Sequence, residues 1–211
     1  AESVVLNALA VLQAGEADGV VGLGGGSSMD VAKAIAVLAA GNQTLAEAYG
    51  VDQVVGGRLP LILIPTTAGT GSEVTPVAVI TTGETTKAGI SSPVLLPDIA
   101  VLDAELTLGL PAHVTAMTGI DAMVHAIEAY CVPGFHPLCD GLALESLNLI
   151  SKWLPVAVRE PDNLVARGAM LVGSCLAGIA FLKGLGHVHA ISHMIGAEYN
   201  TQHGLTNAII L

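Results

Sequence analysis

Gly19–Ala40 reads GVVGLGGGSSMDVAKAIAVLAA. Val20 to Leu23 form a short apolar run of the kind seen in buried parallel strands. Gly24, Gly25 and Gly26 with Ser27 and Ser28 then make a turn, and MDVAKAIAVLAA continues as a helix. Ser27 and Asp30 are spaced as a capping pair for that helix, with Asp in the place of the usual Glu or Gln. Strand, glycine turn and helix together are the arrangement that binds phosphate. Glycines admit the anion close to the backbone, and free N–H groups and the helix dipole face it. The spacing is neither GxGxxG nor a GKS/GKT loop. By itself such a turn is at least as much a plain tight turn; its place between a buried strand and a capped helix brings phosphate binding level with that reading.

Outward from this unit the α/β pattern continues. Upstream, Val5, Ala8, Leu9 and Leu12 have helical spacing and predict an amphipathic helix over 2–15. Downstream, Leu61–Ile64 predicts a second buried strand, ended by Pro65. Thr66, Thr67, Thr70 and Ser72 follow as a hydroxyl-rich loop, at the C-terminal end of a strand, where open α/β sheets place ligands. Val77–Thr82 and Ile99–Leu102 predict further strands. Lys87 lies between them; it balances a cofactor phosphate, bonds a ribose, or is a solvated surface lysine. Near Leu110-Pro111 the character changes. Pro111 suits a first helical turn, and 137–155 and 162–182 predict two more helices. The expected organisation is an α/β domain over 1–110 followed by an α-helical domain over 111–211.

The helical half carries a cluster of metal-ligand residue types. Four of the seven histidines (His187, His189, His193 and His203) fall in Gly186–Leu211. His189 and His193 are four apart and share a helix face; His203 follows an Asn-Thr-Gln turn. In TGIDAMVHAIEAY, Asp121 and His125 are also four apart. One carboxylate and three imidazoles suit Fe(II) or Zn(II), and pairs at helical spacing are a common way to hold a metal in a bundle. His187 points elsewhere on the helix. His193 is either a fourth imidazole or a group beside the metal that relays a proton. His113 and His136 have no partner at useful spacing.

Bulk composition narrows the classes. Of 211 residues only 12% are charged and 52% are apolar, and the net charge is −11. Such a chain folds rather than staying disordered, and it offers no basic patch for nucleic acid or an anionic membrane. The apolar run Gly168–Leu182 is too short to cross hydrocarbon and reads as a buried helix. Three cysteines without a CxxC pair read as reduced thiols, which points to a cytoplasmic protein. No Gly-x-Ser-x-Gly elbow is present. A phosphate turn joined to a single metal site leaves hydride transfer with the metal as Lewis acid. The alternative is a metal-dependent hydrolase or lyase acting on a phosphorylated small molecule.

GGGSSMDVAKA, PTTAGTGSEVTPVAVIT, LLPDIAVLDAELT, TGIDAMVHAIEAY and GHVHAISHMIGAEYNTQHGLTNAIIL, in this order, resemble the iron-containing (group III) alcohol dehydrogenases. These are relatives of glycerol dehydrogenase and dehydroquinate synthase. The resemblance implies a Rossmann-like α/β nucleotide-binding domain followed by an all-α metal-binding domain, with the active site in the cleft between. It implies Fe(II), or Zn(II), on Asp121, His125, His189 and His203, with His193 a non-ligand near the substrate. It implies NAD or NADP, with Gly25, Gly26 and Ser27 at the pyrophosphate, Thr66, Thr67 and Lys87 touching the nucleotide, and Asp30 towards the nicotinamide. The implied reaction moves hydride between an alcohol and NAD(P), giving an aldehyde or ketone, in a homodimer or larger homo-oligomer. Set against the family, the chain reads as partial, without the opening strand–turn–helix units and the closing helices.

Overall fold

The computed structural model describes residues 1–83, 86–199 and 201–211. The chain divides into two compact units: Ala1–Pro65 with Ser72–Val101, and Thr66–Gly71 with Leu102–Leu211.

The first unit contains α1 (Glu2–Ala14), β1 (Val20–Gly24), α2 (Gly26–Ala40), α3 (Leu45–Ala48), β2 (Gly50–Val51), β3 (Leu61–Pro65), β4 (Val77–Thr82), β5 (Thr86–Ser91) and β6 (Ile99–Ala100). One sheet has the order β1-β3-β6 with parallel pairs. The other has the order β2-β5-β4, with β4 and β5 antiparallel. Helix α2 organises both cores. Met29, Ala32 and Ala36 pack with Val20, Leu61 and Leu63, while Ala34, Val37 and Leu38 pack with Val5, Ala78, Ile80 and Ile90. A helix covered on two sides cannot be amphipathic, which is why its sequence is apolar nearly all round. Its alanines let neighbours come close: a Cβ on Gly22 of β1 would stand 2.7 Å from the Ala32 Cβ.

Several expectations are corrected here. Ser27 and Asp30 do not cap α2; the N-cap is Gly25, without a side-chain cap bond. The Asp30 carboxylate instead accepts from the Ser72 hydroxyl (2.7 Å) and the Val79 N–H (3.0 Å), long-range bonds that no local spacing announces. The strand expected over Ile99–Leu102 shortens to Ile99–Ala100. β1 is buried on one face only, with Val21 and Leu23 exposed. Lys87 sits within a strand of its own, β5, rather than between strands.

The second unit is helical: α4 (Ala112–Cys131), α5 (Pro137–Arg159), α6 (Leu164–Ala180), α7 (His187–Tyr199) and α8 (His203–Ile210). Pro111 stands at the N-cap of α4, and α5 runs on past Pro155 to Arg159. Asn163 caps α6 through a bond to the Ala166 N–H, and His136 caps α5 through Nδ1. The core joins Ala122, Ala126 and Ala129 of α4 to Ile150 and Leu154 of α5 and Met170, Leu171 and Ala177 of α6. Leu164–Lys183 is long and apolar enough to cross a membrane by those measures alone, yet half of it is buried within the protein. Its Arg167 is buried and donates to Thr115 Oγ1 at 2.8 Å, as suits a core helix.

Candidate metal centre

Helix α4 places Asp121 and His125 one turn apart on one face, and both are buried. α7 brings His189, also buried, and α8 begins with His203, which is half-buried. The donor atoms of Asp121, His125 and His189 all lie within 4.8 Å of one another. Asp121 Oδ1 stands 4.0 Å from His125 Nε2, 3.7 Å from His189 Nε2 and 3.5 Å from His203 Nε2. One carboxylate oxygen thus faces three imidazole nitrogens, each on a different turn or helix.

The close approach of α8 to α4 depends on Gly204. A Cβ there would fall on the Met117 carbonyl oxygen and reach 3.3 Å from the Asp121 Cβ. The His125 ring stacks on His189 with centroids 4.5 Å apart and packs on Phe181 at 4.8 Å. His193, on the exposed side of α7, has its ring 5.0 Å from that of His203 and 5.8 Å from that of His189. The structure therefore brings together Asp121, His125, His189 and His203, and sets His193 beside them.

Burial pushes His125 down to about 4, against the pull of Asp121. Burial likewise pushes His203 down to about 4. For His189, burial is outweighed by the hydrogen bonds to Asp121 and Glu128, and its value rises. Burial would raise Asp121, but the surrounding imidazoles hold it below the usual carboxylate range. An ionised buried carboxylate beside His125 and His203, both held neutral, is the state that a divalent cation needs, and His189 would give up its extra proton on binding.

Two side chains at the cluster were missed in the sequence. Glu128 accepts from the Val188 N–H (2.6 Å) and meets His189 Nδ1 at 2.5 Å. Asn207 Nδ2 lies 2.7 Å from Asp121 Oδ1 and 3.2 and 3.3 Å from Nε2 of His189 and His203. Helical spacing carried the signal: Glu128 is three residues after His125, and Asn207 four after His203. The donor set fits a metal, because one carboxylate oxygen and three imidazole nitrogens converge, which are the ligand types that Fe(II) or Zn(II) takes.

The residues expected at a nucleotide are distributed over both units. Gly25 precedes α2, Gly26 opens it and Ser27 lies exposed in its first turn. Gly24 has φ +146 and a Cβ there would meet Ser28, so this turn requires glycine. Asp30 is committed to Ser72 and Val79, and Lys87 is exposed on β5. Thr66 and Thr67 are half-buried and belong to the second unit.

Residues 1–104 match the family model of the iron-containing alcohol dehydrogenases, and residues 115–211 match the C-terminal model of the same family. The chain is 49% identical over 210 residues to the probable alcohol dehydrogenase EutG of Escherichia coli (strain K12), covering 98% of this chain and 53% of that protein. It is 41% identical to the NAD-dependent methanol dehydrogenase of Bacillus methanolicus, covering 99% of this chain and 55% of the relative. The crystal structure of a 1,3-propanediol oxidoreductase superposes with a TM-score of 0.94 at 40% identity, over 97% of this chain and 54% of the other. The chain spans about half the length of the relatives it matches. With two family models covering it almost end to end, the chain belongs to the iron-containing alcohol dehydrogenase family.

Proposed function

We propose that this chain forms the metal-bearing part of an Fe(II)-dependent, NAD(P)-linked alcohol dehydrogenase that interconverts an alcohol with its aldehyde or ketone. The observation that carries the reading is the convergence of Asp121 Oδ1 with the Nε2 atoms of His125, His189 and His203. These four residues would hold the metal, with Zn(II) equally served by the donor set. When bound, the metal supplies Lewis acidity towards an alcohol oxygen, and the nicotinamide supplies the hydride chemistry.

The protein's own residues do the rest. Asp121 provides the one buried negative charge that the three imidazoles surround. His193, exposed and next to His189 and His203, is the group that passes the alcohol proton to water. The glycine turn at Gly25, Gly26 and Ser27 would receive the pyrophosphate at the start of α2. Thr66, Thr67 and Lys87 would contact the nucleotide, and Asp30 would lie towards the nicotinamide end. The architecture proposed is a partial Rossmann-like domain, residues 1–110, followed by part of the helical metal domain, residues 111–211. The enzyme would work as a homodimer or larger homo-oligomer in the cytoplasm.

The test is metal per chain by elemental analysis after oxygen-free purification, for the wild type and His203→Ala, followed by formation of reduced nicotinamide with short alcohols. About one iron or zinc per chain, lost in the variant, is expected. A folded wild type that takes up no metal would overturn the reading.

A further inference from the structure

Glu128 sits on α4, seven residues after Asp121, and is buried although it is a carboxylate. Backbone and ring donors surround its two acceptor oxygens. Oε1 accepts from the Val188 N–H at 2.6 Å; Oε2 accepts from the His189 N–H at 3.3 Å and faces His189 Nδ1 at 2.5 Å. The two backbone groups belong to the first turn of α7, where N–H groups have no partner within the helix and a negative charge is favoured. The ring contact has a chemical consequence. Both Glu128 oxygens already accept from backbone N–H groups, so the carboxylate presents an acceptor to the ring, and the geometry places the imidazole proton on Nδ1. The Nε2 lone pair is then free, and Nε2 is the atom turned towards Asp121 at 3.7 Å.

The backbone is shaped to admit this carboxylate. A Cβ on Gly186 would stand 2.8 Å from Glu128 Oε1. Glycine here leaves room for the carboxylate against the start of α7. Every element is therefore in place for one side chain to start a helix and orient the ring that the helix carries.

We infer that Glu128 is the positioning residue of the centre: it caps α7 and holds His189 with its proton on Nδ1, so that Nε2 presents a lone pair to the Asp121 cluster. The inference rests on the metal reading above only for the use made of that lone pair. A neutral glutamine is the discriminating replacement. It keeps the size of glutamate but offers one acceptor and one donor group, so it cannot serve the Val188 and His189 sides together.

The test compares the wild type, Glu128→Gln and Gly186→Ala by two readouts. Nitrogen-15 NMR of the histidine rings, at a pH where His189 is neutral, reports its tautomer without metal. Competition titration with Co(II) reports affinity in the folded protein. The wild type is expected to show the Nδ1–H form. Glu128→Gln is expected to lose it and to bind Co(II) about 10–100-fold more weakly. Gly186→Ala, which leaves the carboxylate's charge in place, is expected to shift both readouts in the same direction. A residue that only caps α7 would lower the melting temperature of Glu128→Gln and leave tautomer and affinity unchanged; that result would overturn the assignment. So would an Nε2–H tautomer in the wild type. A wild type with the Nδ1–H tautomer and no Co(II) uptake would sink the metal reading and leave the Glu128 assignment standing.

Discussion

Asn207 donates from Nδ2 to Asp121 Oδ1 at 2.7 Å, joining α8 to α4 across 86 residues of chain. The Asn207 Oδ1 atom is buried and has no hydrogen-bond partner among the described residues. The amide thus anchors the carboxylate oxygen that faces the three imidazoles. Asn207→Ala is expected to leave the helices formed and weaken Zn(II) or Co(II) binding about 10-fold or more, as loss of such outer contacts does elsewhere. Chelator competition on the purified variant measures it; unchanged affinity would mean that Asp121 is held by other contacts.

His125 and His203 predict how the metal-free protein responds to acid. Both are pushed down to about 4 in the fold, against 6.5 in the unfolded chain. Between these values the unfolded chain binds more protons than the native one, so stability falls as pH drops from about 6.5 to about 4. His189 is shifted the opposite way, so its stabilising contribution is full well below 6.5 and is lost as pH rises above it. Melting curves of the chelated protein should show a decline that is shallower in His203→Gln. A flat profile would contradict the burial of these rings.

Lys33 is fully buried in the first unit, and its ammonium donates to Ser72 Oγ (3.0 Å), Thr75 O (2.9 Å) and Val77 O (2.8 Å). Asp30 lies 3.9 Å away, and the Glu73 carboxylate is also buried. Burial lowers Lys33 to about 8, opposed by Asp30 and Glu73. Lys33→Met strands those carboxylates and should cost about 3–5 kcal/mol in urea unfolding. The double variant Lys33→Met/Asp30→Asn should recover part of the loss, because one stranded charge is gone. Additive losses would show that the two residues are not coupled.

His193→Ala is expected to keep the metal, since its ring stands beside the cluster rather than completing it. In the intact enzyme the alcohol oxidation rate should fall about 10²-fold, with the loss of one limb of the pH–rate profile. Normal rates at every pH would assign the proton path to water alone.

What the sequence disclosed depended on whether its signals were local. The α2 unit, the strands at Val20 and Leu61, and the pairs Asp121/His125 and His189/His193 announce themselves through short spacings, whereas setting His193 aside in favour of His203 came only with the resemblance to the iron-containing alcohol dehydrogenases. Asp30 misled, because Ser-x-x-Asp before an apolar run looks like a cap, while its true partners Ser72 and Val79 lie 42 and 49 residues away. β5 was missed because Lys87, Ala88 and Gly89 show no apolar alternation. Glu128 and Asn207 were passed over for a different reason: their helical spacing was visible, but only the fold shows that their partners are a ring nitrogen of α7 and a carboxylate of α4.

Gly204, Gly186 and Gly119 share a property that residue-by-residue searches for function overlook. A Cβ on Gly204 would strike the Met117 carbonyl, on Gly186 the Glu128 carboxylate, and on Gly119 the Leu154 side chain. These positions contribute no side-chain atom to any chemistry, yet Gly204 and Gly186 set the approach of α8 and α7 to α4, and Gly119 that of α5 to α4. A saturation library of this protein should therefore show an intolerance at Gly204, where backbone blocks a Cβ, that rivals that of Asp121, His125, His189 and His203, and a milder one at Gly186 and Gly119, where the blocking atoms end flexible side chains. At Gly204 a site of clearance would be depleted like a site of contact. Telling them apart requires asking whether a variant fails for want of a group or for want of room.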